Sequence, residues 1–458
     1  MKNKTKTMGT VRFWTLIWGL GLAGQLCWNV ENQWFNTFVY AKISKDSTIV
    51  TLMVIISALI TTFSTFFFGT LSDRVSSRKK FVSLGYIAWG IFTIMFGFTE
   101  FISSGPGEAV VLAGTLVVLA DGIMSFFGSM GNDSSYSAWT NDMTTDQNRG
   151  QIGAAIAVQP VIGTITGTVL GGILIGSNDN YQRLFWVMGL FVIAMGSLSL
   201  LAMQDAPNLK PHKEERFWHQ FRLVFDFRSF FRQRELMLAC VTAAAFFIPF
   251  NIYFVHMGNW LIYYIGFTAD SMGLVQGAGL IAAMLLVIPA ISLINKNKTP
   301  LVAAAAIIIN AIGLWTIYIF AKPGAVDTVS VFSVVNIPLL LGVFLAGGGY
   351  ILIMQAMTMW VRQLYPEESR GQFEGIRVLF FTLIPMLIGT VIGNIIVKNG
   401  AGSVVNEYGI TENIPTESIY LWAAILLMLA FIPLYFAGKC YYARLRDDPL
   451  KSISEEDG

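Results

Sequence analysis

Twelve stretches of this chain are each too long and too apolar to be left in water. About 20 mostly apolar residues in helical form cross the hydrocarbon of a bilayer. Runs of that kind occupy 13–39, 48–71, 81–101, 109–138, 150–176 and 183–203, and then 236–265, 271–294, 300–321, 331–360, 372–397 and 418–442. In hydrocarbon the backbone has no water to bond, so such runs close their hydrogen bonds internally as helices. The charge content agrees: Asp, Glu, Lys and Arg make up 13% of the 458 residues, about half the share in a soluble domain. The sequence therefore reads as an all-α membrane protein with twelve transmembrane helices.

Basic residues orient it. Twenty-four of the 30 Lys and Arg fall in the N-terminus, the even-numbered loops and the C-terminus. The other side holds Lys42, Lys45, Arg183, Lys322 and Lys398, and Arg377 lies inside a run. Positive charge stays cytoplasmic, so both termini are expected inside, with the chain in the plasma (inner) membrane. An even number of spans requires the same answer. Residues 1–12 are basic like the start of a signal peptide. The run behind them contains Glu31 and several amides and has no small-residue cleavage site, so it reads as a retained first helix. The net charge of +2 is scattered, which gives no footing for nucleic acid. Cys27, Cys240 and Cys440 fit neither a metal spacing nor a disulfide framework.

The chain also repeats itself. Trp139 to Gln151 reads WTNDMTTDQNRGQ and Trp360 to Gln372 reads WVRQLYPEESRGQ, with Trp, Arg, Gly and Gln coinciding at an offset of 221. GTVLG (Gly167 to Gly171) returns as GTVIG (Gly389 to Gly393) at 222. A duplicated six-helix unit predicts two pseudo-symmetric six-helix bundles at 1–203 and 236–442. Between them lies a cytoplasmic central loop, 204–235, and after them a cytoplasmic tail, 443–458. The loop mixes charge with Phe217, Trp218, Phe221, Phe225, Phe227, Phe230 and Phe231. That composition suits either an amphipathic helix on the membrane face or a solvated linker. Parallel repeats place a solute site where the halves meet, near the bilayer midplane.

The second loop reads Gly69-Thr-Leu-Ser-Asp73-Arg74-Val-Ser-Ser-Arg78-Lys79-Lys80. It resembles the signature G-x-x-x-D-[RK]-x-G-[RK]-[RK] of the major facilitator superfamily, with Ser76 where the second Gly is usual. The corresponding loop of the second half, Asn295 to Pro300, has lost most of the pattern. The fourth run, Asp133-Ser-Ser-Tyr136-Ser-Ala-Trp139-Thr-Asn-Asp142-Met-Thr144-Thr-Asp146-Gln-Asn-Arg149, looks like that of the glycoside–pentoside–hexuronide:cation symporters. The resemblance implies the major facilitator fold and gives Asp133 the place of the cation-binding carboxylate. Those symporters also carry two acids in the second helix, at positions held here by Thr65 and Thr61. Hydroxyls cannot replace that charge, so sodium coupling loses support and proton coupling gains it.

The residues point the same way unaided. A carboxylate at membrane depth needs a partner and is functional by default. Asp133, Glu31 and Asp121 are the candidates for cation coupling, although a rim carboxylate satisfied by water or Arg149 would account for Asp133 as well. Gln25, Asn29, Asn32 and Asn36 recur at helical spacing in the first run, a stripe about 40° wide. Amides avoid lipid, so the stripe faces a wet cavity or other helices. With Trp28 it suits a sugar, whose hydroxyls bond amides and whose C–H faces cover indoles. Glu31 lies about 100° off the stripe. His256, Asn259, Trp260 and Tyr263 form a second polar-aromatic face in the seventh run, as solute contacts or as structural donors. Asp73, Arg74, Arg78, Arg149, Arg370, Glu374 and Arg377 are candidate gating charges at the cytoplasmic rim; Glu374 and Arg377, three residues apart, suit an ion pair.

Two patterns are set aside. Gly19, Gly21 and Gly24 match a dinucleotide fingerprint, but no strand precedes them. Gly163, Gly167 and Gly171 form a small-residue ridge suited to helix packing. No constellation supports acyl or phosphoryl transfer, so an enzyme is not expected, nor any cofactor or metal. The expectation is a secondary transporter, acting as a monomer in the lipid bilayer. It would move a small polar solute, a sugar or glycoside, by symport with a cation, the proton foremost. A drug or lipid exporter of the same fold is the rival within transport, and a membrane-embedded sensor or enzyme the rival outside it.

Overall fold

The computed structural model describes residues 9–102, 108–145, 147–207, 209, 217–218, 227–365, 370–405 and 409–446. Eleven of its helices are long and apolar enough to cross a membrane. They are α2 (Ser47–Val75), α3 (Arg78–Phe101), α4 (Ala109–Asp142), α5 (Arg149–Ile175), α6 (Tyr181–Ala202) and α7 (Arg234–Ile265), then α8 (Ala269–Asn295), α9 (Thr299–Phe320), α10 (Val334–Gln363), α11 (Gly375–Asn399) and α12 (Ser418–Arg446). Ahead of them runs α1 (10–42), continuous through Thr10–Val30, Glu31–Phe35 and Asn36–Lys42. It is long enough to span, but its amides lower its hydropathy below that of the others. Among the described residues the fold is thus all-helical apart from one hairpin, Ser403–Val405 with Thr411–Asn413, in register Val404 to Glu412.

Local chemistry sets the helix ends. The Asp46 carboxylate accepts the Thr48 amide at 2.9 Å and opens α2, as an N-cap does. α2 stops at Ser76, which sits in the left-handed region at φ 53°. This is the position where the resembled signature carries glycine, because a Cβ opposes that conformation. Trp139 and Trp360, equivalent across the repeat, both spend their indole N–H on the chain flanking the central loop. Trp139 donates to the Gln204 carbonyl (2.9 Å) and Trp360 to Glu235 Oε1 (2.8 Å).

The chain clusters into two compact units. One comprises 1–222, 255–277 and 400–414; the other comprises 223–254, 278–399 and 415–458. In the first, Gly163, Gly167 and Gly171 of α5 lie against Gln25, Asn29 and Trp34 of α1, with no room for a Cβ. In the second, Gly389 of α11 lies against Ile248 and Asn251 of α7. Asn29 and Asn251 are separated by 222 residues, as are Gly167 and Gly389. The duplication therefore extends to a packing contact: the same amide seats on the same glycine in each half. Gly19, Gly21 and Gly24 meet Met195, Gln159 and Asn132, a close-packing role.

Of the central loop, Phe217 packs edge-on to Phe67 at 5.3 Å in the first unit. In the second, the short helix Phe227–Arg232 buries Phe230 beside Phe380. The remainder of the expected amphipathic segment, and the tail from 447, lie outside the described residues.

Candidate functional site

The first unit contains four polar groupings, three of them on α1. At residues 31–35 α1 widens into a π turn, and α4 does so at 129–136. Such turns are frequent at functional sites because they re-aim side chains that a regular helix would hide. Glu31 opens the first of them and Asp133 lies within the second.

Glu31 leaves the amide stripe and points at α2 and α4. Its Oε1 accepts Ser57 Oγ at 2.9 Å and Ser125 Oγ at 2.8 Å, and the two hydroxyls are 2.7 Å apart. Asp121, one turn before Ser125 on α4, lies beside Ser57 and within electrostatic reach of Glu31. Both acids are buried, at 6% and 1% exposure. Glu31 Oε2 and Asp121 Oδ1 have no hydrogen-bond partner among the described residues.

Asp133 is half-buried. Its Oδ1 accepts the Trp28 indole N–H at 3.1 Å and the Asn132 amide at 2.9 Å. Trp28 in turn leans on Trp89, ring centroids 4.8 Å apart. The Tyr86 hydroxyl lies 2.9 Å from Asn132 Oδ1 and 2.7 Å from the Leu20 carbonyl, fixing Asn132 from α3. The half-buried indole and carboxylate, with the buried Asn132 amide fixing the acid, can hold a polyhydroxylated ring: the acid bonds hydroxyls, and the indole covers C–H.

Further along α1, toward the α1–α2 turn, the polar groups are neutral. Asn36 Nδ2 reaches the Val255 carbonyl at 3.3 Å and Asn259 Nδ2 donates to the Asn36 carbonyl at 3.1 Å, tying α1 to α7. Gln33 donates to Gln276 of α8 and accepts Thr168 of α5 at 2.8 Å. His256, the residue after Val255, is fully buried, with neither ring nitrogen partnered among the described residues. Asn36 Oδ1, Asn259 Oδ1 and Gln276 Nε2 are likewise unpartnered. An unsatisfied buried polar group costs about 1–3 kcal/mol, so these groups are buried without being well bonded. Trp260 is buried beside it, and Tyr263 packs against Tyr40 with Lys45 5.4 Å above its ring.

The fourth grouping ties the α2–α3 turn to α4. The Arg78 guanidinium binds Asp73, Ser72 and Asp142, the last at 2.9 Å. Asp205, just past α6, accepts the backbone amides of Arg78 (2.7 Å) and Lys79 (2.8 Å) and the Ser77 hydroxyl (2.9 Å). Arg74 lies half-buried in the last turn of α2 and Arg149 is exposed at the start of α5. In the second unit Arg377 stacks 5.2 Å from the Phe381 ring. The side chains of Arg370 and Glu374 lie outside the described residues, and with them the expected pairing of Glu374 with Arg377.

The stripe itself divides. Asn29 is buried beside Gly167 and Thr168, 3.4 Å from the threonine hydroxyl. Gln25 and Asn32 remain half-buried, Asn32 bonding the Trp28 carbonyl at 2.7 Å. Sequence reasoning had no hold on Ser57, Ser125, Asn132 or Tyr86, since single hydroxyls and amides in a membrane helix carry no motif. Asp142 stood in the quoted motif without a partner. Asp205 follows α6 in a stretch that reads as linker.

A family model described as Major Facilitator Superfamily matches residues 17–334. No curated protein matches the sequence. Among solved structures, a point mutant of the nucleoside transporter NupG superposes with a TM-score of 0.65 at 12% identity, covering 92% of this chain and 99% of its own. Unmutated NupG gives 0.61 at 12%, covering 94% and 100%. A bacterial homolog of the human lysosomal transporter Spinster, inward-facing and unoccupied, gives 0.65 at 12%, covering 95% and 99%.

Proposed function

This chain belongs to the Major Facilitator Superfamily, and from that premise we propose that it carries a small hydroxylated solute, a sugar or glycoside, by proton symport through alternating access. Family membership makes it a multi-pass transporter rather than an enzyme. The proposed setting is the plasma (inner) membrane with both termini cytoplasmic, the side where Lys and Arg concentrate.

The observation that carries this reading is the half-buried Asp133, inside a membrane-spanning helix, held by Trp28 and Asn132. A carboxylate there has no structural need to be reachable. The neutral seam at Asn36, Gln33, His256, Asn259 and Gln276 supports alternating access. It joins α1 to α7 and α8 by few bonds, so opening it strands little. NupG carries nucleosides, whose ribose offers the same hydroxyl chemistry. The absence of acids at Thr61 and Thr65 favours the proton over sodium, in keeping with the resemblance to glycoside–pentoside–hexuronide:cation symporters and its one main departure.

Counterflow in proteoliposomes tests the solute class. Vesicles loaded with an unlabelled monosaccharide, disaccharide, glycoside or nucleoside are given the labelled compound outside. One of the sugars or glycosides is expected to exchange, and Trp28→Ala to slow it at least about tenfold. Exchange of apolar dyes alone, with every sugar inert, would replace the reading by that of an exporter.

A further inference from the structure

The acids buried behind Trp28 have a different character from Asp133. We propose that Glu31 of α1 and Asp121 of α4 share one proton across the Ser57–Ser125 hydroxyl pair, and that this buried pair stores the coupling proton while Asp133 meets the solute. The inference rests on the proton-symport reading and assigns it a place.

Three observations carry it. The two acids converge on one spot: Ser57 and Ser125 both bond Glu31 Oε1, and Asp121 adjoins Ser57. Each acid keeps one buried oxygen without a donor among the described residues. Neither has an ion pair among them. Two unpaired carboxylates side by side in an apolar interior repel each other and lose their hydration, and neither loss is offset. A single proton on the pair removes one charge and makes one carboxyl an O–H donor, and the Ser57 hydroxyl, which adjoins both acids, can accept from it. The serines, which can donate or accept, keep their bonds whichever carboxyl holds the proton.

The surroundings leave the pair as the local site of protonation. α2 brings Ser57 and no acid or base from Ser47 to Ser72. α1 adds Cys27, α4 adds Asp133 and α3 adds Tyr86; each is neutral or acidic, so none supplies positive charge to the pair. In the resembled symporters α2 itself carries two acids. Here α2 offers Thr61 and Thr65, and acids from α1 and α4 meet it one turn away, at Ser57. Loading is a plain proton transfer: hydronium from one side gives its proton to a carboxylate and leaves as water, and the reverse step on the other side regenerates the carboxylate. No bond other than O–H changes.

Infrared spectroscopy of the full-length protein in lipid bilayers, titrated from about pH 5 to about pH 9 with no solute present, reads the proton directly. The wild type is expected to show a protonated-carboxyl C=O band near neutral pH. E31Q and D121N should each move its midpoint, the double variant E31Q/D121N should lack it, and D133N should retain it. S57A and S125A keep both acids and should each raise the C=O frequency through loss of a hydrogen bond. They decide the matter if the double variant does not fold. A wild type without the band, a band that survives the double variant, a band lost only in D133N, or serine variants without a shift would each overturn the proposal. Because no solute is used, failure of the sugar reading leaves this result standing, and the reverse also holds.

Discussion

Around Glu31 and Asp133, α1 meets α2, α3 and α4 through carboxylates, hydroxyls and an indole. Around Asn36, five residues beyond Glu31, the same helix meets α7 and α8 through amides and an imidazole. The first region is acidic and joins helices of one sequence half; the second is neutral and joins helices of both halves. Under the proposed alternating access, the physics of a moving seam accounts for the division. Carboxylates stranded by a separating interface would each have to be rehydrated or protonated at every cycle. Amides and a neutral imidazole exchange protein partners for water at little net change. An ion is therefore better held within a half that moves as a body, and the contact that opens and shuts is better built without charge.

Substitutions in the two regions should then have opposite signatures. The largest effect is expected from Glu31→Gln combined with Asp121→Asn: uphill accumulation falls to the equilibrative level, while counterflow exchange persists within about tenfold of wild type. Accumulation that survives would erase the distinction between the regions. Asn36→Ala comes next. It removes the bond to the Val255 carbonyl and weakens the α1–α7 seam by about 1–3 kcal/mol. Hydrogen exchange should quicken across 254–260 and stay unchanged around Asp133. Faster exchange in both places would mean that the two regions open as one.

His256→Leu sharpens the contrast from the other direction. Removing two unpartnered nitrogens from a buried position should stabilise the folded state by about 1–2 kcal/mol. The melting temperature should rise while counterflow slows. A lower melting temperature would place a bonded role on His256. The smallest effect belongs to Ser76→Gly, which touches neither region. It relieves a left-handed residue at the end of α2 and should add about 0.5–1 kcal/mol in thermal unfolding, with transport unchanged.

The fold was legible because a bilayer leaves few options. Apolar length marks the spans, and eleven emerge from the structure with α1 ahead of them. The GTVLG and GTVIG repeat marked the duplication, and Asn29 on Gly167 with Asn251 on Gly389 shows what it preserves. The site was legible only in part. Asp73, Arg78 and Asp133 stand in recognisable patterns, so their chemistry could be named from the chain. Which side of α1 faces α5, α7 or α4 depends on the π turn at 31–35, and no periodicity of 3.6 predicts a turn that breaks it. Ser57 and Ser125 gain their meaning from Glu31, 26 and 94 residues away in sequence. That pairing arises from packing.

The claim on which the rest depends is that a proton gradient drives a hydroxylated solute through this chain. Purified full-length protein in proteoliposomes, with the exterior more acidic than the lumen, should concentrate the sugar or glycoside found by counterflow severalfold above its external level. A protonophore should abolish the accumulation, and sodium should leave it unaffected. Uptake that only equilibrates regardless of the pH difference, or that concentrates solute on a sodium gradient alone, would contradict the account.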